Sequence, residues 1–85
     1  MIRSGGDVEA MIREEKRLTA IESQNTAWAE GEAWGIETEI LAEAALTTAF
    51  DALVRQGGES AALAMIERMR EKVVAGAFEP QRTHH

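Results

Sequence analysis

The chain has 85 residues, 45% hydrophobic and 28% charged, with a formal net charge of −6. That balance is too apolar for a disordered tail and too interrupted by charge for a membrane span of about 20 apolar residues. Its acidity excludes direct phosphate-backbone binding, which rests on Lys and Arg, and the absence of cysteine excludes disulfides and thiolate metal sites.

In chain order, the first seven residues offer one basic side chain, Arg3, and no apolar run. No secretory signal is expected, and the cytoplasm is the expected compartment. Proline occurs once, at Pro80, while helix formers dominate and no segment alternates like a strand. The first predicted helix covers 8–23, with Asp7 as its N-cap and Glu9 favourably placed in the first turn. Ser23, Gln24, Asn25 and Thr26 follow, four polar residues that predict a turn rather than a solvated kink. A second helix is predicted over 27–56, about 45 Å long at 1.5 Å per residue, and Gly57-Gly58 ends it. The third covers 59–75, with Ala62, Ile66, Met69 and Val73 as an amphipathic stripe and Gly76 as its stop. Phe78 is expected to fold back, and 79–85 to form a flexible tail whose closing residues, His84 and His85, are not credible ligands.

The fold class expected is all-α, a single domain in which a helical hairpin carries an additional N-terminal helix. A chain this short has a thin core, so assembly into an oligomeric helix bundle is expected as well. The first helix continues a seven-residue rhythm through Met11, Leu18, Ile21 and Trp28, interrupted by Glu14 and Asn25.

The middle helix carries the candidate sites. At 100° steps Gly31, Trp34, Gly35, Leu41, Ala42, Ala45 and Ala49 share one mostly small side, the predicted oligomer interface. Ile36, Ile40, Phe50 and Val54 lie roughly opposite. The bland alternative is that the alanines merely raise helix propensity and that Gly31 and Gly35 mark a local break. Residues 18–54 contain no Lys or Arg but hold seven acids. Among these, Glu30, Glu32, Glu37, Glu39 and Glu43, together with Trp28, form the candidate partner-facing set. Their counter-charges must come from Arg13, Lys16 and Arg17 on the first helix, from Arg55, from Arg68, Arg70 and Lys72 on the third, or from a basic protein partner.

Little here points to chemistry. Glu39 and Glu43 stand four apart, as carboxylate ligands do in metal-binding bundles, but no histidine precedes the tail to complete such a site. Nucleophilic catalysis lacks a cysteine or internal histidine, and Gly57-Gly58 is followed by Glu59 rather than a phosphate-loop Lys. No enzyme activity, metal or cofactor is expected. The reading is a small acidic helical protein-interaction module, a scaffold, adaptor or regulatory binder acting as a homo-oligomer, with no nucleic-acid or membrane partner. The alternative is an acidic inhibitor or nucleic-acid mimic that blocks a basic groove of another protein.

Overall fold

The structure is a computed structural model that describes residues 5–80. Two helices, α1 (Gly5–Ala33) and α2 (Thr38–Val74), make up most of it, with no strand among the described residues. Expectations for residues 1–4 and 81–85, including His84 and His85, lie outside those described.

α1 begins at Gly5, so Asp7 stands in its first turn rather than at the N-cap. Its carboxylate still complements the positive end of the helix dipole. The turn expected at residues 23–26 is absent, and α1 runs straight through it. Ser, Gln, Asn and Thr lose at most about 0.7 kcal/mol each against Ala inside a helix, and none forces non-helical backbone. Good flanking helix formers therefore carry the helix across them.

The chain leaves α1 only after Ala33. Gly35 sits at φ 78°, a left-handed conformation that costs an L-residue roughly 1–2 kcal/mol. The Gly35 amide donates to the Glu32 carbonyl at 2.9 Å and the Ile36 amide to the Gly31 carbonyl at 3.2 Å. Those two bonds are a Schellman motif, which satisfies carbonyls the helix end would otherwise leave open. α2 starts at once: the Glu37 carbonyl accepts from the amides of Ile40 and Leu41, both at 3.0 Å, which makes Glu37 the N-cap residue. Ile36 and Leu41 then hold the positions of a hydrophobic staple across the new helix start. The continuous rod expected over 27–56 is thus two pieces, divided at 34–37, because Gly35 closes one helix and Glu37 opens the next.

α2 has its own break. Gly58 adopts φ 77° and ψ −177°, separating helical stretches 38–57 and 59–74. Just before it, a Cβ on Gly57 would stand 2.8 Å from the Ala61 Cβ, closer than carbon atoms pack. The helix ends in a second Schellman motif, with the Gly76 amide on the Val73 carbonyl at 3.1 Å and the Ala77 amide on the Lys72 carbonyl at 3.0 Å.

The chain divides into two units, Met1–Glu43 and Ala44–His85. Among the described residues of the first, Gly31 alone is buried, with Trp28, Leu41 and Ala42 half-buried. In the second, Ala62 is buried at 7% exposure. Phe50 and Leu53 before the break, and Ala61, Met65 and Met69 after it, are half-buried. Spacings of three and four put each set on one face of its helical stretch. The expected stripe is therefore rotated: Ala62 and Met69 belong to the sheltered face, whereas Ile66 and Val73 are exposed. Phe78 does not fold back, remaining 64% exposed.

Candidate functional site

The best-defined local geometry in the first unit is the corner between α1 and α2. Leu41 lies against the backbone at Gly31: a Cβ built there would collide with Leu41 Cδ2 and come within 3.1 Å of Cδ1 and 3.3 Å of Cγ. Only glycine lets the side chain rest on the helix in this way. On the same stretch of α1 the Trp28 indole Nε1 donates to Glu32 Oε2 at 3.2 Å, one turn away. The residue that caps α1, Trp34, points into water at 83% exposure, and Ile36 and Ile40 beside it are 38% and 56% exposed.

Charge at the corner has one sign. Glu30 and Glu32 occupy the last turn of α1, which holds no basic residue, and Glu37 and Glu39 surround the start of α2. The acids in the last turn of α1 face the negative end of its dipole, an unfavourable placement of about 0.3–1 kcal/mol each. The ion pairs among the described residues lie elsewhere and are local. Arg17 meets Glu14 bidentately, with Nη2–Oε2 at 2.7 Å and Nε–Oε1 at 3.1 Å, and Arg70 stands 3.8 Å from Glu67. The hydrogen bond from Arg17 holds the Glu14 carboxyl below its usual range and raises the guanidinium in turn. Glu30, Glu32, Glu37, Glu39 and Glu43 take part in neither pair.

The predicted interface residues lie on two helices and the turn between them rather than on one helix. Gly31 and Leu41 are used against each other, Trp34 and Gly35 form the turn, Ala42 is half-buried, and Ala45 and Ala49 remain exposed on α2. A helical wheel drawn across 27–56 merges two helices whose phases are unrelated once Gly35 reverses the local backbone. Of the predicted partner-facing set, Glu30, Glu32, Glu37 and Glu39 lie at the corner, Trp28 is half-buried beside Glu32, and Glu43 stands one turn further along α2. Sequence reasoning missed Ile36 and Ile40 as part of this surface, and Leu41 as the cover of Gly31. The signal was present. Glycine followed by an apolar residue marks a Schellman end, and Glu37-Thr38-Glu39 is an acid-rich helix start.

A second exposed surface runs along α1, where Val8, Met11, Ile12, Leu18 and Ile21 all face water. The depressions there, one lined by Ile12, Lys16, Thr19, Ala20 and Ser23, are open grooves on one helix rather than enclosed cavities. Among the described residues no group of three His, Cys, Asp or Glu side chains is placed to hold a metal ion, and no helix is long and apolar enough to cross a membrane. No protein-family model, curated protein or solved structure matches the chain.

Proposed function

We propose that this protein is a small acidic interaction module, a scaffold, adaptor or regulatory binder, that acts as a homo-oligomer. One observation carries the reading: among the described residues only Ala62 is a buried hydrophobic side chain, while Val8, Met11, Ile12, Leu18 and Ile21 stand exposed on a single 29-residue helix. In proteins most of a helix's stability comes from packing its apolar face rather than from intrinsic propensity. Each such side chain left half in water forgoes roughly 1 kcal/mol of burial. In this proposal the stretches flanking Gly58 form a helical hairpin, α1 is the additional N-terminal helix, and copies pair along α1 into an oligomeric bundle. The acids of residues 30–43 stay available to a basic protein.

Light scattering over a range of concentrations tests it. The expected mass is a multiple of 9.3 kDa, and Leu18→Glu, which puts a charge in the middle of the α1 stripe, lowers it. A stable monomer at all concentrations overturns the proposal.

A second reading, an acidic inhibitor that fills a basic groove of another protein as a nucleic-acid mimic, draws support from the five glutamates at 30–43 that stand outside the ion pairs. A mimic needs such free carboxylates along an exposed surface.

A further inference from the structure

The apolar tip at the α1–α2 corner has a fixed backbone and an uncovered surface. Two Schellman hydrogen bonds and the seating of Leu41 on Gly31 hold the turn. Trp34, Ile36 and Ile40 nevertheless remain open to water, Trp34 more so than any other large hydrophobic side chain described. Tryptophan is the residue type most enriched where protein partners bind tightly, because it offers a large apolar face together with a donor.

The surrounding charge decides what can cover that tip. Glu30 and Glu32 before the turn, and Glu37 and Glu39 after it, lie in a stretch, 18–54, without a single Lys or Arg. The carbonyl end of α1 adds its own negative potential. Nucleic acid and anionic lipid headgroups are repelled. A second copy docking corner to corner would set these glutamates against their own kind. A cationic partner gains twice, from the carboxylates and from stacking a guanidinium on the open face of the indole.

We infer that this corner docks a basic protein segment: Arg side chains stack on Trp34 and pair with the glutamates beside it, and an apolar residue covers Ile36 and Ile40. The inference rests on reading the chain as an interaction module but not on its self-association, since the α1 stripe ends at Ile21 and the corner begins at Glu30.

The test uses the full chain and a synthetic peptide of Arg-Arg-Leu repeats. In the Trp28→Phe variant Trp34 is the sole tryptophan, and its emission should shift to the blue and saturate as peptide is added. By calorimetry, Trp34→Ala should weaken binding on the order of 30-fold, in the range of an interface anchor. Changing Glu30, Glu37 and Glu39 together to Gln should weaken it comparably. The same neutralisation at Glu59, Glu67 and Glu71 should leave most of the affinity, and citrulline in place of Arg in the peptide should abolish binding. The inference is overturned if Trp34 emission ignores the peptide, if Trp34→Ala binds like the parent, or if the citrulline peptide binds equally well. It is also overturned if Trp34 emission moves to the blue with protein concentration alone, because a second copy then covers the tip. Light scattering on the same samples reads self-association separately, so failure of one proposal is distinct from failure of the other.

Discussion

At Gly35 and at Gly76 the backbone leaves a helix in the same way, through a left-handed glycine and two amide bonds back to the last turn. The charges around the two ends differ. At Gly76 the last turn holds Glu71 and Lys72, so a cation stands at the negative end of the dipole beside one acid. At Gly35 the last turn holds Glu30 and Glu32, and the capping residue is an exposed tryptophan. The Gly76 end is balanced in charge. The Gly35 end sets the same terminating motif among charges that oppose it, a local conflict of the kind expected if the corner docks a basic partner as proposed above.

The largest expected effect belongs to the packing that only the Gly35 corner has. Gly31→Val drives a branched side chain into Leu41 and should lower stability by about 1–3 kcal/mol in urea unfolding. Lys72→Ala, the change at the corresponding carbonyl of the other end, should stay within about 0.5 kcal/mol. An unchanged midpoint for Gly31→Val would mean that the Leu41 contact does not hold the corner.

Next come the glycines themselves. Gly35→Ala should cost about 1–2 kcal/mol through backbone conformation alone, since a Cβ there meets nothing within 4 Å. D-alanine at the same position, which prefers the left-handed region, should recover that loss. Gly76→Ala should show mainly as lost helix signal in the final turn, because the described residues beyond it, 77–80, are all exposed. Equal global destabilisation at both positions would erase the distinction between an internal corner and a terminal stop.

Charge exchange sharpens the comparison further, because it should act with opposite signs. Lys72→Glu should destabilise, and Glu30→Lys stabilise, each by about 0.3–1 kcal/mol at low salt and fixed protein concentration. The smallest effect concerns the exposed Glu14–Arg17 pair. Its folded carboxyl titrates below the unfolded value, so its contribution is present above the usual carboxylate range and disappears as the pH falls through the lowered one. Glu14→Gln should therefore remove a slight acid-side slope from the stability profile and leave the neutral-pH midpoint almost unmoved.

Much of this arrangement was legible in the sequence, and the rest was hidden for identifiable reasons. Helix composition and the lack of alternation gave the all-α class, and Gly58 and Gly76 announced themselves as breaks by lying between runs of strong helix formers. Gly35 was harder. Read as one of two glycines on a 3.6-residue stripe, it looked like a packing device, and the wheel that included it assigned Gly31, Trp34 and Leu41 to one interface with a second copy. The conformation of one residue separates the readings, and sequence spacing does not encode it. Residues 23–26 misled in the opposite direction, because residues good at capping helices are also tolerable inside them. The acid-only stretch, by contrast, is read from composition and does not depend on where the helices begin.

Glu30→Lys tests the central claim most directly, with urea unfolding and titration of the Arg-Arg-Leu peptide run on the same preparation. If the acidic corner is maintained for binding against the preference of its own helix, the midpoint rises while peptide affinity falls. A midpoint that drops, or an affinity that holds, would contradict the account.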